Sequence, residues 1–211
     1  MKIKYNCIKD IAGLTRYSSG NKELGPIMLL DSNKGKILVI SGTEFNCNQQ
    51  NNFLTDIASA LGLNNDYLMT CKNVCLDNVK KGTDLIVVGN SLGGMIAQQL
   101  VGCKAIKENY NIVIILTFGS PLITPTKRSC NIKRFCDKKD LITKLSLSAF
   151  NKNYDYEVCM EDGGYNSVIE AHRESYIYND CWNKYDVFGI KNGSNSIIID
   201  INSIKYYNAF K

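Results

Sequence analysis

A serine set between glycines at residues 89–94, Gly-Asn-Ser-Leu-Gly-Gly, is the segment whose residue types best suit chemistry. It follows an apolar run at 84–88 that predicts a buried strand, and a helical pattern follows it at 95–101. Small flanking residues permit the sharp strand-to-helix turn that would expose a strained, nucleophilic Ser91. The N–H of Leu92, at the helix N-terminus, would then face a developing oxyanion. The alternative is a glycine-rich turn that is structural or contacts a phosphate.

A serine hydroxyl is a weak nucleophile and needs a base, and imidazole is the side chain that most often takes this role. The chain contains one histidine, His172. It follows Ser91 and most of the predicted strands, which matches one known chain order of serine, acid and histidine. A lone histidine with a structural role is the alternative.

An acid is expected between the serine and the histidine, in a loop after a strand, where it can orient the imidazole. Asp137 and Asp140 both follow the apolar segment 131–136, and Glu161 and Asp162 are further candidates. The residue chemistry alone does not choose between Asp137 and Asp140.

A second oxyanion donor is expected where an earlier strand ends. Thr43 follows the predicted strand 36–41 and can offer its backbone N–H, although an ordinary strand-ending turn is the alternative.

Cys71 and Cys75 have helical spacing but lack a second metal-type pair, so we expect neither a metal nor another cofactor.

Strands and helices alternate along the chain. Continuous apolar strands such as 84–88 and 111–118 favour an α/β fold, a mostly parallel sheet with helices on both faces, formed by one domain over 1–211. The serine would lie at the carboxyl end of a strand, where reactive groups collect in such sheets. The predicted strands are 26–30, 36–41, 84–88, 111–118, 131–136 and 196–201, the first two forming a hairpin; the predicted helices are 5–13, 53–61, 66–80, the one following the serine, and 167–176.

The composition indicates which ligands and which cellular compartment to expect. The net charge of +5 is modest and forms no basic stripe with aromatics, so nucleic-acid binding is not expected. The N-terminus lacks the apolar region of a signal peptide, and no apolar run suits a membrane-spanning helix. The nine cysteines are an odd number and indicate reduced thiols in a soluble intracellular protein. Abundant asparagine, isoleucine and lysine with only 3 prolines are typical of an AT-rich genome, viral or other.

Six stretches together form a recognisable pattern in chain order: Val-Ile-Ser-Gly-Thr at 39–43, Asn-Phe-Leu-Thr-Asp at 52–56, Val-Gly-Asn-Ser-Leu-Gly-Gly at 88–94, Thr-Phe-Gly-Ser-Pro at 117–121, Asp-Leu-Ile-Thr-Lys-Leu at 140–145 and His-Arg-Glu-Ser-Tyr at 172–176. This pattern resembles the class 3 lipases, the fungal-lipase-like branch of the α/β-hydrolases. The resemblance implies that Ser91 is the nucleophile, His172 the base and Asp140, rather than Asp137, the acid, with Thr43 and Leu92 forming the oxyanion hole.

The chain departs from that family at three places. Asn90 replaces the usual histidine before the nucleophile, and Ser41 replaces the usual arginine. Residues 44–52 are short and polar where interfacial lipases carry an amphipathic lid, so we expect an open or lightly covered site without strong interfacial activation. The segment 151–167 is a candidate substitute flap over His172.

The favoured interpretation is a serine hydrolase that cleaves carboxylic esters through an acyl-enzyme. Its expected substrate is a lipid or phospholipid acyl ester, or another small ester. The positive charge favours peripheral contact with an anionic membrane surface. The alternatives are a thioesterase, acyltransferase or peptidase that uses the same triad, and a non-catalytic binding protein of hydrolase-like fold.

Overall fold

The computed structural model describes residues 1–19, 25–42, 64–122, 131–144 and 157–208, in which eight strands form one sheet flanked by helices. The elements in chain order are β1 (Lys2–Tyr5), α1 (Ile8–Ser19), β2 (Ile27–Ser32), β3 (Gly35–Ile40), α2 (Asn64–Asn78), β4 (Asp84–Asn90), α3 (Leu92–Leu100), α4 (Lys104–Asn109), β5 (Asn111–Phe118), β6 (Asn131–Asp137), a 3₁₀ turn (Leu141–Lys144), β7 (Glu157–Glu161), α5 (Val168–Tyr178), a second 3₁₀ turn (Asp180–Trp182) and β8 (Ile197–Tyr207).

The sheet has the strand order β1-β8-β2-β3-β4-β5-β6-β7. Strands β3 to β7 run parallel, while β1, β8, β2 and β3 pair antiparallel. The expected α/β class with a mostly parallel sheet is therefore confirmed. The parallel half aligns the carboxyl ends of β3 to β7 along one edge, where loops can bring side chains together.

Strand β4 is buried on both faces because its alternate side chains enter two separate cores. Leu85 and Val87 pack toward α2 and α3, whereas Ile86 and Val88 pack toward α1 and α5. Each aliphatic side chain buried in this way stabilises the fold by about 1.5–3 kcal/mol. Helices therefore pack against both faces of β4 and stabilise the centre of the sheet.

The predicted β2–β3 hairpin is confirmed, with a turn at Asn33 and Lys34. The predicted helix at 5–13 was wrong in both bounds, since α1 spans Ile8–Ser19. Residues up to Tyr5 pair with β8, and α1 begins at Ile8, where the Asp10 carboxylate accepts the N–H groups of Asn6 and Cys7. The last strand runs on to 207, beyond the predicted 201, because β8 pairs with both β1 and β2.

The expected flap at 151–167 needs correction where the structure describes it. Residues Glu157–Glu161 form β7, which pairs with β6 at the edge of the sheet and buries Cys159 beside Phe135. Residues 151–156, the short polar stretch 44–52 and the predicted helix 53–61 lie outside the described residues.

No helix in the described ranges is both long and apolar enough to cross a membrane. Every cysteine in these ranges is a free thiol. Cys71 and Cys75 lie on the buried face of α2, and burial raises the pKa of both thiols, that of Cys75 to about 12. Their helical spacing therefore serves packing.

Candidate active site

Ser91 lies in a strained turn between β4 and α3. Its φ of 52° and ψ of −122° lie in a region that residues with side chains rarely adopt, at a cost of roughly 1–3 kcal/mol. The flanking glycines make the turn possible. A Cβ at Gly89 would lie 2.6 Å from the Cα of Gly94, and one at Gly93 would overlap the carbonyl of Ile40.

The structure brings Ser91, His172 and Asp140 into one hydrogen-bonded chain. His172 Nε2 lies 3.0 Å from Ser91 Oγ, and His172 Nδ1 lies 2.9 Å from Asp140 Oδ2. All three are buried, with 4%, 6% and 0% of their surface exposed, respectively. Burial in a medium of low polarity strengthens each of these contacts relative to water.

Besides His172, two further groups fix the Asp140 carboxylate. The N–H of Ile142 donates to Oδ1 at 3.0 Å, and Tyr176 OH lies 2.7 Å from Oδ2. Because Tyr176 OH accepts the Asp137 N–H at 3.0 Å, its own proton points to Asp140. Burial, then the Asp140 charge, raises the Tyr176 pKa well above its usual value, so the phenol keeps this proton.

The hydrogen-bond network also indicates the tautomer of His172. An ionised carboxylate only accepts hydrogen bonds, so the proton of a neutral imidazole lies on Nδ1, facing Asp140. The lone pair on Nε2 then faces the Ser91 hydroxyl, which is the arrangement in which the ring can accept the serine proton.

The alternative acid, Asp137, has other partners. Its carboxylate accepts the N–H of Lys139 at 2.9 Å, the N–H of Gly163 at 3.0 Å and Ser175 Oγ at 2.6 Å. Asp140, and not Asp137, faces His172 Nδ1, so the geometry favours Asp140 as the acid of this site.

The two remaining acidic candidates serve ion pairs. Glu161 accepts hydrogen bonds from Lys184 at 2.6 Å and Tyr185 at 2.7 Å. Burial alone would raise the Glu161 pKa, but these two donors lower it below its usual value. Asp162 lies 3.8 Å from Lys138 Nζ.

The oxyanion side of the site is described in part. Leu92 is the first residue of α3, so its N–H has no partner within the helix by geometry. The proposed second donor, Thr43, lies outside the described residues. The residue before it, Gly42, passes so close to the serine that a Cβ there would be 3.0 Å from Ser91 Cβ.

Asn90 and Ser41, the two residues expected to be histidine and arginine by the resemblance, each donate a hydrogen bond to a backbone carbonyl. Asn90 Nδ2 donates to the carbonyl of Phe118 at 3.2 Å, next to the Ser91 N–H, which donates to the same oxygen at 2.9 Å. Ser41 Oγ donates to the carbonyl of Thr15 in α1. Asn90 therefore ties the serine turn to the end of β5, and Ser41 ties the end of β3 to α1.

Two contributors to the site were not assigned roles from the sequence. Gly119 has a φ of +58°, and its missing side chain leaves room for Asp140, His172 and Tyr176. Tyr176 lies four residues after His172, on the same side of α5, and this spacing was the signal that could have identified it.

Arg134 was also missed. Its buried guanidinium donates to the carbonyl oxygens of Ser120 at 2.9 Å and Thr143 at 3.1 Å. It thereby ties the turn after β5 to the 3₁₀ turn after Asp140. An arginine within an apolar strand was the only hint in the sequence.

In the portions of the chain that the structure describes, no cluster of three or more histidine, cysteine or acidic side chains could hold a metal ion.

No model of a known protein family matches the chain, and no curated protein matches it.

Proposed function

We propose that the chain is a serine hydrolase of the α/β-hydrolase type that cleaves carboxylic esters through an acyl-enzyme. The observation that carries the proposal is the hydrogen-bonded chain from Ser91 Oγ through His172 to Asp140, with a strained serine at the end of a central parallel strand. A non-catalytic protein would have no need to hold these groups at 3.0 Å and 2.9 Å.

The proposed reaction has two halves. His172 takes the proton of Ser91 as Oγ attacks the ester carbonyl, and the N–H groups of Leu92 and Thr43 stabilise the oxyanion. His172 then gives its proton to the leaving alcohol, which leaves an acyl group on Ser91. Water, deprotonated by His172, attacks this acyl-enzyme and releases the acid and Ser91. Side chains and water account for every proton, so the proposal calls for no metal or cofactor.

Lipid or phospholipid acyl esters are the proposed substrates, on the strength of the resemblance to class 3 lipases. Local geometry supports this likeness, because Gly42 lies against Ser91, and Gly119 lies against Asp140 and His172.

A substrate panel tests the proposal. Purified protein is assayed with p-nitrophenyl esters of increasing chain length, phosphatidylcholine vesicles and an acyl thioester. We expect ester hydrolysis that falls by roughly 10³-fold or more in Ser91→Ala and His172→Ala. Ser203→Ala, on β8, is the control and should retain the wild-type rate. Preference for the thioester would favour a thioesterase, and undiminished hydrolysis by Ser91→Ala would remove Ser91 as the nucleophile.

A further inference from the structure

Asp137 is a second buried carboxylate in the turn that carries Asp140, and it binds the helix that carries His172. Its Oδ2 accepts a 2.6 Å hydrogen bond from Ser175 Oγ. Ser175 is fully buried and lies three residues after His172, so the two side chains share one side of α5. Two carboxylates thus hold α5: Asp140 is hydrogen-bonded to His172, and Asp137 is hydrogen-bonded to Ser175.

The remaining bonds of Asp137 fix the direction of its carboxylate. The N–H groups of Lys139 and Gly163 donate to its two oxygens at 2.9 Å and 3.0 Å. Gly163 approaches so closely that a Cβ there would lie 2.6 Å from Asp137 Oδ2. The carboxylate therefore joins three segments: its own turn, the backbone after β7, and α5.

Ser175 is held from its other side by the one tryptophan of the chain. Trp182 Nε1 donates to Ser175 Oγ at 3.3 Å, so the hydroxyl accepts from the indole and gives its own proton to Asp137. The Trp182 ring stacks on Tyr176 with 5.5 Å between ring centroids. Tyr176, in turn, accepts the backbone N–H of Asp137.

We propose that Asp137 and Ser175 form a latch that positions His172 against Ser91. The proposal rests on the proposed function. Neither latch residue touches the reacting atoms; both act by holding α5 at the distance where His172 Nε2 reaches Ser91 Oγ. Without the latch, α5 is held at this turn through His172 and Tyr176, and the imidazole shifts relative to the serine. Such a shift slows proton transfer and leaves substrate binding in place.

Two variants and one control test the latch. Ser175→Ala removes the hydroxyl, and Asp137→Asn removes the charge while keeping the shape. The control is Asp186→Asn, which alters a similarly buried carboxylate that accepts the backbone N–H groups of Phe188 and Ile190 in another loop. Circular dichroism establishes a temperature at which every variant is folded, and kcat and KM for a p-nitrophenyl ester are measured there.

We expect kcat to fall about tenfold in both latch variants with KM within about twofold of wild type, because the geometry of proton transfer is lost and not the binding of substrate. The control should retain the wild-type kcat. Equal kcat values in all four proteins would overturn the latch.

A second readout does not depend on activity. Because the chain has one histidine, the proton on His172 Nδ1 gives a single imidazole N–H signal in ¹⁵N-histidine NMR spectra. We expect it to exchange faster with water and to broaden in both latch variants but not in the control. An unchanged signal in the latch variants would overturn the latch. If folded wild-type protein hydrolyses no ester, the proposed function fails, and the histidine signal still decides whether the latch positions the ring.

Discussion

Gly119→Ala is the substitution for which the structure gives the most quantitative expectation. Gly119 follows β5 with a φ of +58°, and an added Cβ would lie 2.8 Å from Tyr176 Cε2, 2.9 Å from Asp140 Oδ2 and 3.1 Å from His172 Nδ1. Ordinary contacts of a Cβ begin near 3.4 Å. All three neighbours must therefore move, and they are the histidine itself, the carboxylate that orients it and the tyrosine that holds this carboxylate.

The expected stability loss has two parts. A non-glycine residue in the left-handed region costs about 1–2 kcal/mol, and overpacking a filled site costs about 1–3 kcal/mol. The sum of about 2–5 kcal/mol leaves a folded but weakened protein if the chain has the usual reserve of about 5–15 kcal/mol. The imidazole must move by a few tenths of an ångström, and because a misplacement of about 1 Å can cost about 100-fold, kcat should fall by roughly tenfold.

Gly82→Ala is the matched control. Gly82 also has a positive φ, +79°, but an added Cβ there would meet nothing within 4 Å. It therefore carries the backbone strain without the clash. Urea unfolding measures stability for both variants, and steady-state kinetics with a p-nitrophenyl ester measure kcat. If Gly119→Ala retains the kcat of Gly82→Ala, the packing of Gly119 against the triad has no catalytic role.

Two further predictions concern the groups around the site and the pH dependence of stability. Tyr176→Phe removes a donor to the charged Asp140 and should lower the free energy of unfolding by about 1.5–3 kcal/mol. Because the raised pKa keeps the Tyr176 phenol of the wild type protonated, the kcat of Tyr176→Phe should be lower than that of wild type by the same factor from about pH 6 to about pH 9. A deficit that vanishes at either end of this range would contradict the expectation. Burial would raise the Asp186 pKa, but hydrogen-bond donors that include the Ile190 N–H and the Asn195 side chain lower it below its ordinary value. Ionised Asp186 therefore stabilises the fold at pH values above its unfolded pKa of about 3.9, and this contribution is lost as the pH falls through the lower folded pKa. Urea unfolding of Asp186→Asn should therefore show a smaller loss of stability between about pH 7 and about pH 3 than wild type, and an equal loss would refute this role.

The serine turn and the central strands could be predicted because their signals are local. The glycines around Ser91 mark a turn that only small residues permit, and the apolar runs of β4 and β5 are long and continuous. A single histidine in the chain left no competitor for the base. These features depend on neighbours in sequence, which is where sequence reasoning is strongest.

The choice between Asp137 and Asp140 depended on the turn between them. Asp140 immediately precedes the 3₁₀ turn Leu141–Lys144, where the Ile142 N–H fixes its carboxylate toward the histidine. Asp137 is three residues earlier and is held by Gly163 and Ser175, which come from distant parts of the chain. Residue type and spacing carry no signal for such contacts.

The edge strands were missed for a related reason. β1 has four residues with alternating lysines, and β7 has five residues of which only Cys159 is buried. Neither has an apolar pattern that stands out, and each exists because a distant strand supplies its hydrogen bonds. Such non-local pairing overrides local propensity.

Labelling with a fluorophosphonate probe tests most directly whether Ser91 is an activated nucleophile. The probe reacts with serines whose proton is taken by a base, so intact-mass measurement followed by peptide mapping identifies the modified residue. We expect one adduct per chain on Ser91, none on Ser91→Ala, and much slower labelling of His172→Ala. Folded wild-type protein that remains unlabelled, or that is labelled at another serine, would contradict the account.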